Sequence, residues 1–242
     1  MSGSPDAVTP AVALDEWLAG PFGRLLIEAE RAQLAAALED VFGAYCIQIG
    51  HWGPPDAFLP LARTPRRGLV AEAGARGDCV SHAASLAIQT LSVDAVLLPH
   101  TLEYEPEPHE VLREVERVLV GEGHVLSLGF EPGGPWALRH YLARDGFPPG
   151  LTRLLSRGRL RDWLRLLGFD VLEVRRFVHG LPIEGLASGA LARGLERVGG
   201  YLDGQFGSAY LIKARKRVYS LTPIRPRRRS APALVGAVAE PT

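Results

Sequence analysis

The stretch Val93 to Gly123, VDAVLLPHTLEYEPEPHEVLREVERVLVGEG, restricts the fold more than any other part of the chain. After Asp94 comes the apolar run Ala95, Val96, Leu97 and Leu98, which has the length of a buried strand. The run stops at Pro99 and His100. Val111, Leu112, Val115, Val118 and Leu119 then recur at i, i+1, i+4, i+7 and i+8, forming one apolar helix face. Pro108 suits a first helical turn, where an N–H would lack a partner anyway. Gly121 and Gly123 are expected to end the helix, with a second apolar run beginning at His124. Strand, helix and strand at this spacing make a βαβ unit, and hence a parallel sheet. Open sheets of that kind bind ligands in the crevice beyond the carboxyl ends of their strands. The loop after the first strand holds Pro99, His100, Glu103 and Tyr104, so it is the first place to look for chemistry.

The rest of the chain supports a sizeable core. Of its 242 residues, 47% are hydrophobic, which suits one α/β domain with extensions and argues against wholesale disorder. Acidic and basic residues balance at 27 each, so no global field draws in nucleic acid or an acidic membrane. Cys46 and Cys79 have no metal-ligand spacing and make no disulfide framework, so no metal site is expected and a reducing, cytoplasmic setting is. No window has the long uncharged apolar run of a membrane span. The N-terminal residues lack the charged and apolar regions of a secretory signal.

Residues 1–12 read as a flexible leader, 13–220 as the main domain and 221–242 as a basic, Pro-containing tail. Within the domain, 13–43 form a helical cover broken at Gly20 and Pro21, with Gly43 as its stop. A short strand, Ala44 to Gly50, runs into His51-Trp-Gly-Pro-Pro55. Gly68 to Ala71 is a second strand ending at Glu72, and Cys79-Val80 a weak third. Further on, Trp136, Leu138 and Tyr141 lie on one helix. Ser156 caps the next, whose stripe Leu160, Trp163, Leu164 and Leu167 closes at Gly168. Phe169 to Phe177 and Ala209 to Ala214 are the last strands, with a small-residue helix expected over 184–200.

These pieces, in this order, resemble a class I S-adenosylmethionine-dependent methyltransferase of the broad type-11 kind, over roughly Leu14 to Arg217. The most specific segments are Pro99-His-Thr-Leu-Glu-Tyr104, Leu112-Arg-Glu-Val-Glu-Arg-Val-Leu119, Gly129-Phe-Glu-Pro132 with Trp136, Leu160-Arg-Asp-Trp-Leu and Leu167-Gly-Phe. They are similar to a bacterial subgroup of these enzymes. The resemblance implies a Rossmann-like α/β fold: a seven-stranded, mostly parallel sheet with an antiparallel last strand and helices on both faces. It also implies S-adenosylmethionine as cofactor.

The site residues follow from the same resemblance. Gly50 and Gly53 keep two glycines of the family's first motif, where the backbone must approach the cofactor and a Cβ would obstruct. The loop departs from the family at two positions. Gln48 stands where an acid is usual, able to hydrogen-bond the cofactor's amino-acid end but carrying no charge for its ammonium. Trp52 stands where a glycine is usual, and either closes over the adenosine or blocks it. Glu72 falls where a carboxylate would accept both ribose hydroxyls. His82 is nearest by position to the adenine contact and Asp78 nearest by chemistry, with Leu86 placed to pack on the ring and Pro99 bordering the same crevice. His100 is the candidate catalytic residue, either lining the pocket or, for an acceptor that must lose a proton, acting as base. Positioning can supply most of the rate of an in-line methyl transfer.

The expected activity is methyl transfer to a small-molecule acceptor. The alternative is a methyltransferase fold that has lost catalysis and serves as a binding or scaffold module, as Gln48, Trp52 and the missing adenine-side acid suggest. A nicotinamide dehydrogenase is disfavoured, because Pro54 and Pro55 fall where a pyrophosphate-binding glycine turn would lie. No membrane partner is expected, and the basic tail leaves a nucleic-acid contact open.

Overall fold

A computed structural model describes residues 10–73, 77–142, 147–178 and 207–218. The leader up to residue 9, the tail and the helix expected over 184–200 lie outside the described residues.

Helix α1 (Pro10–Ala19) and helix α2 (Pro21–Ala37) meet at Gly20, where Pro21 opens the second helix. Strands β1 (Tyr45–Ile49), β2 (Arg66–Ala71) and β3 (Cys79–Val80) follow, then β4 (Val93–Pro99). The one-turn helix α3 (Thr101–Tyr104) leads into α4 (Pro108–Val118), which hands over to β5 (Leu119–Phe130). Helices α5 (Pro135–Leu142) and α6 (Arg157–Leu166) precede β6 (Phe169–Phe177) and β7 (Ala209–Lys216). The seven strands form one sheet in the order β3-β2-β1-β4-β5-β7-β6. β1 to β5 pair parallel, and β7 runs antiparallel between β5 and β6. This is the sheet that the resemblance implied.

Strand alternation divides the core in two. Ala95, Leu97, Leu126 and Leu128 face α1 and α2, with Leu26, Ile27 and Leu34 against them. Val96, Leu98 and Val125 face the opposite way, onto Val111, Leu112, Val115 and Val118 of α4 and Leu160 and Leu164 of α6. Because β1 and β4 are covered on both faces, they read as nearly continuous apolar runs.

Two helix stops fall elsewhere than the glycines suggest. α4 ends at Val118, and Gly121 and Gly123 lie within β5. There the register against β4 shifts between Val93 and Ala95, and Glu122 takes a φ of 65°. The glycines serve that irregularity: a Cβ on Gly121 would lie 2.5 Å from Val218, and one on Gly123 3.2 Å from the Asp94 carbonyl. Likewise α2 stops at Ala37, capped by the Leu38 N–H on the Leu34 carbonyl, well before Gly43.

The β1–β2 connection carries a single 3-10 turn, Leu59–Leu61, in place of a full crossover helix. That edge of the sheet is thinly covered. A cavity of about 480 Å³ lies there, lined by Leu59, Pro60, Arg67, Leu69 and Asp78, among others. It lies along the strands of that edge, not beyond their carboxyl ends, where open sheets of this kind bind ligands.

Candidate functional site

Beyond β1 the chain turns at Gly50, with φ 87° and its N–H on the Val70 carbonyl at 2.9 Å. A Cβ at Gly50 would lie 3.0 Å from Thr101 Oγ1, so residue type is dictated by both torsion and space. Gly53 has φ 71°, and a Cβ there would lie 2.7 Å from Ile27 of α2. Both glycines thus let the loop pass close to the chain's own side chains. The Gln48 side chain is buried and donates to the Gly50 carbonyl at 3.0 Å, turned into its own loop.

Trp52 is sealed. Its ring is 1% exposed, and its Nε1 donates to Glu30 Oε2 of α2 at 2.9 Å. The other Glu30 oxygen lies 2.6 Å from His100 Nε2, while His100 Nδ1 lies 2.7 Å from Glu103 Oε2. Glu30 and His100 are 0% exposed and Glu103 1%. Trp52 stacks on one face of the imidazole and Phe130 lies against it too, each with ring centroids 4.2 Å away. Glu103 Oε1 also accepts the Phe130 N–H at 2.8 Å. His100 takes a left-handed φ of 56° at the end of β4, a strained conformation typical of functional sites. Burial alone would lower the His100 pKa, but the two carboxylates outweigh it and hold it up at about 9. Burial pushes the Glu103 carboxyl up, with His100 opposing.

The other side of the crest is open to water. The Glu72 carboxylate, 57% exposed, follows β2 and meets His82 Nδ1 at 3.0 Å. Glu105 faces the same pair, and burial followed by the Glu72 charge raises its pKa. Leu86 is buried in the α4-side core. Asp78 accepts the Leu69 N–H at 2.8 Å, which ties it to β2. Pro99 is buried as the last residue of β4. His51 turns outward to Asp15 at 3.1 Å.

Above the sealed half, the cover is built from separate segments. Trp17 of α1, Phe22 of α2, Trp136 of α5 and Phe147 meet edge to face, with Trp17 and Phe147 at 5.3 Å. Such pairs add stability beyond their buried area. Tyr104 donates to the Pro149 carbonyl at 3.2 Å and Thr152 to the Glu103 carbonyl at 2.6 Å, fastening the 147–155 loop to α3.

A family model described as a methyltransferase domain matches residues 63–127, which span β2 to the middle of β5 and leave out the Gln48 loop. The uncharacterised protein YafS of Escherichia coli strain K12 is 30% identical over 228 residues, 87% of this chain and 84% of that protein. This chain belongs to the class I S-adenosylmethionine-dependent methyltransferases. Solved class I structures carry the same fold. A SAM-dependent methyltransferase of Archaeoglobus fulgidus superposes with a TM-score of 0.57 at 17% identity, over 78% of this chain and 94% of that one. A Haloferax volcanii chain, solved in complex with the Trm112 methyltransferase activator, gives 0.61 at 17% identity, over 89% and 100%.

A solvent-facing carboxylate, Glu72, stands one strand from the turn at Gly50, where a side chain would be strained. On the neighbouring side of the same loop, Gln48 is turned inward and Trp52 is packed beneath α2. Sequence reading did not find Glu30. Its signal was an acid in the apolar stripe Gly23, Leu26, Ile27, Leu34 and Ala37, a position that only a buried partner explains.

Proposed function

We propose that the chain binds S-adenosylmethionine along the carboxyl ends of β1, β2 and β3 and passes its methyl group to a small-molecule acceptor. The donor brings an electrophilic methyl on a sulfonium, so the protein's part is to bind and orient. Glu72 would accept the ribose hydroxyls, Gly50 and Gly53 would give the backbone its close approach, and His82 would border the adenine. Gln48, Trp52 and Pro99 would line the amino-acid end, and Leu86 would support the floor from within the core. The observation that carries this reading is the exposed Glu72 carboxylate beside the Gly50 turn in a chain of this family.

His100 has both ring nitrogens occupied by carboxylates. We assign it to the wall of the reactive end; transfer would then proceed by positioning, to an acceptor that is already nucleophilic. Incubation with methyl-labelled donor and a small-molecule fraction of cell extract tests the activity. Label in a product of low mass is expected.

A second reading keeps binding and drops transfer. The burial of Trp52 and Glu30 over the amino-acid end favours it. Donor binding without label transfer to any fraction would select it.

A further inference from the structure

Glu30 joins three parts of the molecule. It belongs to the covering helix α2, it takes the indole N–H of Trp52 from the loop after β1, and it reaches His100 at the end of β4. Burying such a group of ions is unfavourable unless the geometry repays it, and apolar side chains would hold a helix to a sheet at least as well. The charges therefore point to something that packing alone does not supply.

The arrangement around His100 identifies it. A neutral imidazole has one N–H, but here both nitrogens lie against carboxylate oxygens, at 2.6 and 2.7 Å. An imidazolium satisfies both. Trp52 and Phe130 pack against the ring, so its position is fixed on every side. The Trp52 ring is fixed in turn by its N–H and by its stack on that cation. The groups facing the imidazole are Glu30 from α2, Glu103 from α3 and the neutral rings of Trp52 and Phe130, while the Tyr104 hydroxyl faces the two carboxylates and Tyr210 of β7 faces Glu103.

We propose that Glu30 and Glu103 are positioning residues that hold His100 as an imidazolium and, through it, set the Trp52 ring as the wall of the reactive end of the donor site. The proposal rests on the donor-site reading above, and its test separates the two. A protonated imidazole quenches a stacked indole more strongly than a neutral one. The Trp52 emission, obtained as the difference between the parent and Trp52→Phe, therefore reports His100 protonation with no ligand present. In the parent this emission rises with pH, with a midpoint near 9. In Glu30→Gln one flanking charge is gone, and the midpoint falls by about one pH unit or more. The same variant weakens S-adenosylhomocysteine binding on the order of tenfold, because the wall is no longer held in place. A purely structural role for Glu30 would move stability but not the midpoint. If Glu30→Gln does not fold, Glu103→Gln carries the same expectation.

A flat Trp52 emission across the alkaline range in the folded parent overturns the proposal, as does an unchanged midpoint in Glu30→Gln. A parent that shows the transition but gives no heat with S-adenosylhomocysteine overturns the donor-site reading alone, and the clamp on His100 stands.

Discussion

Glu72 and Trp52 leave the ends of neighbouring strands and end in opposite environments. The Glu72 carboxylate reaches water with His82 as its neighbour, while the Trp52 ring lies under α2. Glu72→Ala removes a charged acceptor without opening the core. It should weaken S-adenosylhomocysteine binding by about tenfold or more in calorimetry. Its unfolding free energy should stay within about 0.5 kcal/mol of the parent. Unchanged affinity would remove Glu72 from the ribose site. Gly50→Ala acts through the backbone instead. Its left-handed torsion and the nearby Thr101 hydroxyl predict a loss of about 1–2 kcal/mol or more in urea unfolding. At this scale the sequence marked the turn glycines of the loop, Gly50 and Gly53, but not where Trp52 would point. Ring placement depends on Glu30, 22 residues earlier, and on His100, and no local pattern encodes that meeting.

Among the elements, α4 and α6 were the most legible. The i, i+4, i+7 stripe of α4 became Val111, Leu112, Val115 and Val118, all fully buried. Leu112→Ala should cost about 2–5 kcal/mol, because the cavity it leaves between α4 and the sheet cannot collapse. Ser156 caps α6 as its position suggested, accepting the Arg159 N–H at 3.3 Å. Ser156→Ala should cost about 1 kcal/mol. Where reading failed, glycine was the cause. Gly121 and Gly123 look like helix stops but serve an irregular β5, because glycine marks close approach as readily as it marks an end.

Across the whole molecule, the parallel pairing of β4 and β5 was readable from the spacing of strand, helix and strand, and the antiparallel last strand was implied by the family resemblance. The sealing of half the crest was not, since it joins α2, the β1 loop and the end of β4 through four side chains. That seal leaves a mark on stability. The folded His100 keeps its proton to about pH 9, against an ordinary value of 6.5 in the unfolded chain. The folded state binds more protons in that window, so this stabilisation is complete below about 6.5 and is lost as pH rises through 9, at up to about 1.4 kcal/mol per pH unit. The raised Glu103 carboxyl works in the same direction. Urea midpoints taken from neutral to alkaline pH should fall accordingly, and Glu30→Gln should shift the fall to lower pH.

Binding of the methyl donor underlies both readings of this chain. Isothermal titration of the purified protein with S-adenosylmethionine, and separately with S-adenosylhomocysteine, tests it most directly. Binding heat with both is expected, saturating at one site per chain. No heat with either, at concentrations well above a micromolar dissociation constant, would contradict it.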